Sequence, residues 1–259
     1  MKRARVEING VEKNVICFDD YSVETEDGQC YREDEVRWLP PRHGVLMGLA
    51  LNYADHAAEL AFDKPESPII FIKSGSSVNA HNEKAFRPDN VKYMHYESEL
   101  VVVIGKTASK VSRENAMDYV GGYTVCNELT VRDYLEDYSR PPIKVKNLRG
   151  FGPLGPWIVD KEDIADPHVL AVKTYVNGEL RQEGNTSDLI FDIPELIAYI
   201  SDFMTLQPGD MIATGTPKGL SDIVPGDVVE VEVEGVGKLR TYLVTEEEYY
   251  NQRELVAES

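Results

Sequence analysis

Apolar residues in this chain come in short runs and alternations, with few long amphipathic stretches. The run Leu100–Ile104 predicts a buried strand, and shorter apolar runs predict buried strands over residues 44–51, 68–72 and 123–126. The dipeptide Asn177-Gly178 separates two alternating segments, which is the signal of a tight hairpin. The pattern therefore predicts a chain built mainly of strands.

Helix signals are fewer. Residues 52–60 are rich in alanine and carry capping residues, and residues 112–120 begin with a serine. Residues 129–140 are predicted as a helix that stops at a Pro-Pro pair. A further amphipathic helix is predicted from Asp192, with Pro194 tolerated in its first turn. Because the helices do not alternate regularly with the strands, the sequence predicts an α+β, mostly β fold.

The chain has 259 residues, enough to bury a large core. A Pro-Pro pair near residue 40 divides it into a small β-rich lead-in domain over 1–42, a main domain over 43–245 and an acidic C-terminal tail over 246–259. No apolar run approaches the roughly 20 residues that cross a bilayer. Residues 1–10 lack an apolar signal core, so we expect a cytoplasmic protein with no membrane partner.

Net charge and cysteine content argue against a nucleic-acid-binding protein and against a disulfide-rich or zinc-binding protein. The formal charge is −18, whereas a nucleic-acid-binding protein needs a basic surface. We therefore expect no nucleic-acid partner. Cys17, Cys30 and Cys126 are widely spaced and include no CxxC pair, which fits reduced thiols better than a disulfide framework or a zinc site.

Paired carboxylates are the first candidate site. Glu97 and Glu99 stand two residues apart beside the strand over 100–104, so both carboxylates project from one face of a strand. A buried pair of like charges needs a cation or a proton, and paired carboxylates suit Mg²⁺ or Mn²⁺. Glu128, at the end of the strand over 123–126, offers a third carboxylate. A solvated edge face is the other interpretation of the pair.

Two further segments carry candidate chemistry. His56 and Glu59 are neighbours on one face of the predicted helix, where the pair is either a general-base dyad or an ordinary surface contact. Gly215 and Thr216 lie in a loop after a short strand, and their backbone amides and hydroxyl can face a carboxylate ligand. Lys73 ends a strand before a Ser/Gly-rich loop and is either solvated or functional.

Five segments together carry a resemblance to a known family. They are NYADHAAEL (52–60), MHYESELVVVIGK (94–106), GGYTVCNELTVRDYLE (121–136), KNLRGFGPLGPW (146–157) and GDMIATGTPKGL (209–220). The chain resembles the fumarylacetoacetate hydrolase family over nearly all of residues 45–245. VNGELRQ (176–182), residues 188–222 and VEVEGVG (231–237) are most similar to its isomerase/decarboxylase branch in 4-hydroxyphenylacetate breakdown.

The resemblance implies a mixed β-sandwich roll and a metal site. The cation would be Mg²⁺ or Mn²⁺, held by a Glu-x-Glu pair that Glu97 and Glu99 match. The third ligand of the family is usually aspartate, and this chain has Glu128 there. Glutamate keeps the charge and is one methylene longer.

The resemblance also implies roles for the remaining candidates. His56, oriented by Glu59, would act as general base. Lys146 would hold developing negative charge or return a proton. Thr216 and Gly215 would bind the C1 carboxylate of a 2-oxo acid.

The substrate that the resemblance implies is a 2-oxo dicarboxylic acid. It is 2-hydroxyhepta-2,4-diene-1,7-dioate, isomerised to the 2-oxo-hept-3-ene form, and its 5-carboxymethyl precursor would be decarboxylated through the same enolate. The distal carboxylate needs a cation, for which Arg140 and Arg149 are candidates, with Lys73 as a further substrate ligand. A homodimer is also implied.

Three alternatives remain open. An acylpyruvate hydrolase or oxaloacetate decarboxylase would use the same fold and metal. An iron dioxygenase would use His95, Glu97 and Glu99, but it needs a second histidine with suitable spacing, and none is apparent. A non-catalytic binding protein would result if Glu128 has disrupted the metal site.

Overall fold

The computed structural model describes residues 1–59, 63–135 and 142–257, and strands dominate these residues. The strands are β1 (Lys2–Ile8), β2 (Val11–Cys17), β3 (Val23–Thr25), β4 (Cys30–Tyr31), β5 (Arg37–Leu39), β6 (Leu46–Ala50), β7 (Ile69–Lys73), β8 (Val78–Asn79), β9 (Lys84–Arg87), β10 (Met94–His95), β11 (Ser98–Ile104), β12 (Val120–Asn127), β13 (Thr130–Val131), β14 (Gly152–Asp160), β15 (Ala171–Val176), β16 (Glu179–Asn185), β17 (Met211–Ala213), β18 (Val228–Val233) and β19 (Gly237–Thr245). The α-helices are α1 (Ala54–Glu59), α2 (Ile143–Lys146), α3 (Ile193–Phe203) and α4 (Glu246–Ala257).

Two large sheets and one short ribbon contain all the described strands. The twelve-stranded sheet has the order β4-β3-β2-β1-β14-β12-β11-β17-β6-β7, with β5 on β1 and β8 on β14. The five-stranded sheet has the order β16-β15-β18-β19-β9, and β10 pairs with β13. Most neighbours are antiparallel, whereas β6–β17, β8–β14 and β9–β19 are parallel. The predicted mostly β, mixed fold is confirmed.

The strand β11 is apolar throughout because both of its faces are buried. Leu100, Val102 and Ile104 join the main core together with the valines of β18 in the five-stranded sheet. Val101 and Val103 point the other way, into a second apolar cluster on the opposite face of the twelve-stranded sheet. A strand that is buried on both faces has no polar alternation. Glu99 in this strand and Glu97 directly before it therefore have their carboxylates in the protein interior.

Local signals predicted several elements correctly. The strands over 44–51 and 68–72 correspond to β6 and β7. Asn177 and Gly178 have positive φ angles of 52° and 81° and connect β15 to β16. Asp192 caps α3 by accepting a hydrogen bond from the backbone N–H of Glu195 at 3.0 Å. These features depend on a few neighbouring residues, which explains why the sequence alone predicts them.

The helix predicted over 129–140 is wrong in its described part. Residues 130–131 form β13, and residues 132–134 form one 3₁₀ turn. Val131 pairs with Met94 of β10, and the Asp133 carboxylate accepts hydrogen bonds from the backbone N–H groups of Lys92 and Tyr93 at 3.0 and 2.7 Å. This pairing with a distant segment outweighs the local helix preference. Residues 136–141 lie outside the described residues.

The two ends of the chain pack onto the main body. β1 pairs with β14, so the lead-in strands extend the twelve-stranded sheet. The segment predicted as an acidic tail begins as α4, where Tyr249 is buried against Phe86 with ring centroids 4.9 Å apart. The boundary at residue 42 stays a prediction. Within the described residues, no helix is both long and apolar enough to span a membrane.

Candidate metal centre and active site

Three carboxylates meet at one end of the β11–β12 hairpin. Ser98 pairs with Asn127, so Glu97 and Glu128 flank the same end of the ladder, and the Glu128 N–H donates to the Glu97 carbonyl oxygen at 2.9 Å. Glu99 lies one residue into β11. One oxygen from each of the three carboxylates lies within 4.8 Å of the others, and all three side chains are buried. The arrangement brings together residues that are about 30 positions apart in sequence.

The donor set fits a divalent cation. Among the described residues, Oε1 of Glu99 and Oε1 of Glu128 are buried without a hydrogen-bond partner. A buried carboxylate oxygen without a partner is unfavourable, and a hard cation is its natural ligand. Three carboxylate oxygens suit Mg²⁺ or Mn²⁺ better than a soft metal. The longer side chain of Glu128 still places its oxygen within the group, so the residues present fit such an ion.

The electrostatic environment separates the two carboxylates of the Glu-x-Glu pair. Burial raises the pKa of the Glu97 carboxyl, but the charge interactions with Lys146, His95 and Arg132 together more than offset this, so the pKa lies far below its usual range. Burial and the negative charge of Glu128 raise the pKa of Glu99 well above its usual range. The Gly215 N–H, which donates to Glu99 Oε2 at 2.8 Å, offsets only part of that rise. Among the described residues, Lys146 and Lys73 lie within ion-pair distance of Glu97 or Glu128, whereas no cationic side chain pairs with Glu99, so the Glu99 carboxylate is the one left for a bound cation to balance.

Lys146 ends α2 and lies against the carboxylates. Its Nζ donates to Glu97 Oε2 at 2.7 Å and also to Glu128 Oε2. Burial lowers the pKa of Lys146, but attraction to Glu128 and Glu97 outweighs burial and raises it above its usual value. Lys146 is therefore a stable ammonium group at the edge of the cluster.

His56 and Glu59 lie on α1, where the buried His56 pairs with the more exposed Glu59. The Nδ1 atom of His56 is 3.3 Å from Glu59 Oε2. An ionised carboxylate only accepts hydrogen bonds, so the proton of the neutral ring lies on Nδ1 and Nε2 carries the lone pair. Burial lowers the pKa of His56, although Glu97 and Glu59 oppose this change. Glu59 also accepts from the Gly219 N–H at 3.0 Å, which connects the pair to the loop after β17.

A cavity of about 250 Å³ connects these groups. Its polar wall is formed by His56, Glu97, Lys146, Thr216 and Arg132. The apolar wall consists of Leu49, Ala50, Leu51, Ile69, Leu135, Pro142 and Val145. An elongated ligand with charged ends and an apolar middle would match this lining. A larger cavity of about 470 Å³ beside β1 and β2 is lined by none of the predicted site residues.

Two residues of the site were not predicted from the sequence. Arg132 lines the cavity, donates from Nε to His95 Nε2 at 2.7 Å, and places a guanidinium nitrogen 3.9 Å from Glu97 Oε1. Thr130 donates from Oγ1 to Glu97 Oε1 at 3.0 Å. Both residues lie in the segment that was wrongly predicted as a helix, so the sequence did not predict the positions of their side chains. The nearness of Thr130 and Arg132 to Glu128 in the sequence is the signal that could have identified them.

Two of the predicted substrate ligands, Lys73 and Arg149, do not line the cavity. Lys73 is buried, and its Nζ donates to the carbonyl oxygens of Lys146 and Phe151 at 2.6 and 3.2 Å and lies 3.5 Å from Glu128 Oε1. Its position is behind the carboxylates. Arg149 is exposed and does not line the cavity. Arg140 lies outside the described residues.

The loop with Gly215 and Thr216 joins the centre to the cavity. Gly215 has a φ of +99°, and a Cβ there would lie 3.0 Å from the Asn52 Cβ. Glycine therefore lets the loop turn its N–H toward Glu99. Thr216 follows with its side chain at the cavity wall. In this loop Gly215 therefore contacts a carboxylate of the centre, and the next residue, Thr216, lines the cavity.

His95 is not available as an iron ligand. Its Nδ1 lies 3.1 Å from the Tyr96 carbonyl oxygen, which only accepts, and its Nε2 accepts from Arg132. Both ring nitrogens are therefore engaged. The dioxygenase alternative loses its histidine ligand.

Comparison with known proteins agrees with this geometry. The family model described as fumarylacetoacetate (FAA) hydrolase C-terminal matches residues 46–244. A 4-hydroxyphenylacetate degradation bifunctional isomerase/decarboxylase of Salmonella dublin is 56% identical over 248 residues, covering 95% of this chain and 56% of that protein. An Escherichia coli protein of the same description is 61% identical over 209 residues, covering 81% of this chain and 49% of that protein. The chain spans about half the length of these curated relatives.

Solved structures give the same result over nearly the whole chain. A 5-carboxymethyl-2-hydroxymuconate delta-isomerase from Mycobacterium smegmatis has a TM-score of 0.84 at 33% identity, covering 95% of this chain and 99% of that one. A 2-hydroxyhepta-2,4-diene-1,7-dioate isomerase from Mycobacterium marinum has a TM-score of 0.82 at 29% identity, with the same coverage. A maleylpyruvate hydrolase from Sphingobium sp. SYK-6, in complex with manganese(II) and pyruvate, has a TM-score of 0.81 at 28% identity, also covering 95% and 99%. This chain therefore belongs to the fumarylacetoacetate hydrolase family.

Proposed function

We propose that this chain is a metal-dependent isomerase that converts 2-hydroxyhepta-2,4-diene-1,7-dioate to its 2-oxo-hept-3-ene form. Decarboxylation of the 5-carboxymethyl precursor would be a second activity of the same site. The observation that carries the proposal is a cluster of three buried carboxylates, one of which, Glu97, lines a cavity together with His56 and Lys146. The functions named for the bacterial relatives and for the M. marinum neighbour support the substrate class.

In this proposal Glu97, Glu99 and Glu128 hold the cation. Mg²⁺ or Mn²⁺ there would supply Lewis-acid stabilisation of the charge that develops on the C2 oxygen. The Sphingobium neighbour, which was solved in complex with manganese(II) and pyruvate, supports a site of this type. The choice between the two metals rests on measurement.

The side chains of this chain would move and stabilise the proton. The isomerisation transfers one proton from the 2-hydroxyl oxygen to C5. His56 has its Nε2 lone pair free of Glu59 and would relay that proton. Lys146 stays protonated and would balance negative charge on the substrate between the two transfers.

The cavity would bind the two carboxylates of the substrate at separate places. Thr216 and the amide groups near it would hold the C1 carboxylate. Arg132 is the arginine among the described residues that lines the cavity, so it replaces Arg149 as our candidate for the distal carboxylate. Lys73 would support Glu128 from behind rather than touch substrate.

Two further aspects belong to the proposal. The family resemblance favours a homodimer, which light scattering on the purified chain tests. We also expect the protein to act in the cytoplasm. An acylpyruvate hydrolase on the same site is the second candidate, favoured by the maleylpyruvate hydrolase among the similar structures.

An ultraviolet time course tests the main proposal. The heptadienedioate is incubated with the full chain plus Mg²⁺, plus Mn²⁺, or plus EDTA, beside oxaloacetate and an acylpyruvate. We expect metal-dependent loss of the dienol absorbance and no turnover of the two shorter substrates. Turnover of a shorter substrate alone would retain the metal site and reject the isomerase, and no turnover of any substrate would reject both.

A further inference from the structure

Gln182 connects the two sheets beside the site. It lies on β16 in the five-stranded sheet, and its side chain is only 1% exposed. Its amide contacts Ser98, which stands between Glu97 and Glu99 on the other sheet, and the loop that carries Thr216. One side chain therefore touches both the strand of the carboxylates and the loop at the cavity wall.

Two backbone groups fix the orientation of the Gln182 amide. The Ser98 N–H can only donate and lies 3.3 Å from Oε1, and the Pro217 carbonyl oxygen can only accept and lies 2.7 Å from Nε2. Reversing the amide would place donor against donor and acceptor against acceptor. The amide oxygen must face β11, and the NH₂ group must face the loop.

This orientation dictates the direction of two hydroxyl hydrogen bonds. Thr174 Oγ1 lies 2.7 Å from Gln182 Oε1, so Thr174 donates. Thr216 Oγ1 lies 2.8 Å from Gln182 Nε2, so Thr216 accepts. A hydroxyl carries a single hydrogen, and that of Thr216 is not used in this contact. Among the described residues, we find no hydrogen bond in which Thr216 Oγ1 is the donor.

We propose that Gln182 is a positioning residue that makes Thr216 a hydrogen-bond donor to the carboxylate of the bound 2-oxo acid. The Gln182 amide contacts the Thr216 hydroxyl from the five-stranded sheet, and Thr216 also lines the cavity. The unused hydrogen is directed at an acceptor in the cavity. This inference rests on the proposed function, because it takes the ligand of Thr216 to be an anionic oxygen.

The decisive variant is Gln182→Glu, which changes one NH₂ group to an oxygen. The ionised carboxylate still accepts from Ser98 and Thr174 and takes the Thr216 hydrogen, and it also places an oxygen against the Pro217 carbonyl oxygen, a disturbance that Gln182→Met does not introduce. The probe is pyruvate, titrated by calorimetry into the full chain saturated with Mn²⁺. We expect the pyruvate Kd to rise on the order of tenfold, the loss of one hydrogen bond to a charged group. The Mn²⁺ Kd should stay within about twofold, since the carboxylates remain.

A double-mutant cycle separates this role from a structural one. Thr216→Val should weaken pyruvate binding by a similar factor, and Gln182→Glu should add nothing in that background. Disturbed packing of the loop would instead weaken binding in both backgrounds. Thr174→Val is the matched control, since it removes a contact of Gln182 on the side away from Thr216, and it should leave the pyruvate Kd unchanged.

A second glutamine variant guards against misfolding of the first. Gln182→Met removes the hydrogen bond to the Thr216 hydroxyl without turning Thr216 into a donor to residue 182. It should therefore weaken pyruvate binding less than Gln182→Glu does, and it should have no effect in the Thr216→Val background. The inference would be overturned if wild type and the Gln182 variants bound pyruvate equally well, or if the wild type did not bind pyruvate. It would also be overturned if the Gln182 substitutions weakened pyruvate binding equally in the wild-type and Thr216→Val backgrounds. The isomerase time course decides the proposed function separately, and its failure would remove this inference too.

Discussion

Among the described residues, the buried histidines His56 and His81 each have a carboxylate oxygen within hydrogen-bond distance, and they differ in what surrounds them. His56 meets Glu59 through Nδ1 and faces a cavity with its other nitrogen. His81 meets Glu33 through Nε2 at 3.1 Å, and its Nδ1 accepts from the Arg240 N–H at 3.1 Å. Burial lowers the pKa of both imidazoles. By charge and burial alone the two pairs look equivalent.

Both ring nitrogens of His81 are hydrogen-bonded, and aromatic side chains pack against its ring. Tyr21 stacks on its ring at 5.2 Å, and Trp38 packs edge-on at 5.2 Å. This cluster holds the lead-in strands to the main body. The cluster around His56 contains a cavity and carboxylate oxygens without hydrogen-bond partners. A buried histidine–carboxylate pair therefore indicates chemistry only where polar capacity is left unused.

The largest effect should come from removing one carboxylate of the centre. Glu97→Gln should abolish Mn²⁺ binding and lower isomerase kcat by more than about a thousandfold, because the cation and Lys146 both lose their anionic partner. Steady-state kinetics and metal titration measure this. Glu33→Gln is the matched control from the other cluster and should retain both properties. Full activity of Glu97→Gln would contradict the metal site.

The next effect concerns the two histidines themselves. His56→Asn should lower kcat by about a hundred- to ten-thousandfold, the usual range for a lost general acid–base. Its Mn²⁺ affinity should not change, which separates proton transfer from metal binding. His81→Asn, compared under the same conditions, should keep kcat near the wild-type value. Equal kcat losses in both variants would remove the distinction drawn here.

A smaller effect should follow from the two arginines. Arg132→Met should raise KM for the dioate about tenfold to hundredfold with a smaller change in kcat, because a charge-assisted hydrogen bond to the distal carboxylate is lost. Arg240, which contacts Glu33 and Glu230 in the other cluster, provides the control. Arg240→Met should leave KM unchanged. An unchanged KM in Arg132→Met would exclude the assigned contact.

The smallest effect on activity should come from His81, whose effect is on stability. His81→Asn should lower the free energy of unfolding by ~1–3 kcal/mol, since it leaves buried partners unpaired. The pKa of His81 is depressed in the folded state, so its stabilising effect is present above about pH 6.5 and is lost as pH falls through the folded value. Urea unfolding from pH 7.5 to 5 should show a steeper loss for wild type than for His81→Asn. Identical slopes would show that His81 does not contribute.

The sequence predicted the features that depend on residues adjacent in the chain, and it missed the features that depend on pairing between distant segments. The apolar run of β11, the Asn177-Gly178 turn and the Asp192 cap were correct because each is encoded within a few residues. The spacing of Glu97 and Glu99 likewise suffices to predict a shared face. The positions of Glu128 at a strand end and of His56 and Glu59 on one helix face made them candidates, and the family resemblance favoured the metal-ligand and general-base interpretations.

Arg132 and Gln182 show where such prediction ends. Arg132 reaches the cavity because β13 pairs with β10, about 35 residues earlier in the chain, and local propensity favoured a helix there. Gln182 acts across two sheets, so nothing in its neighbours shows its partners. Lys73 looked like a ligand at a strand end and lies behind the carboxylates instead. In each case the missing information was the packing of one sheet against another segment.

The most direct test of the account is a calorimetric titration of Mn²⁺ into the full chain and into Glu128→Gln, with isomerase activity measured on the same samples. We predict one Mn²⁺ per wild-type chain, loss of both binding and activity in Glu128→Gln, and no change in Glu33→Gln. Isomerase activity without bound metal, or undiminished Mn²⁺ binding by Glu128→Gln, would contradict the assignment of these three carboxylates as the metal centre.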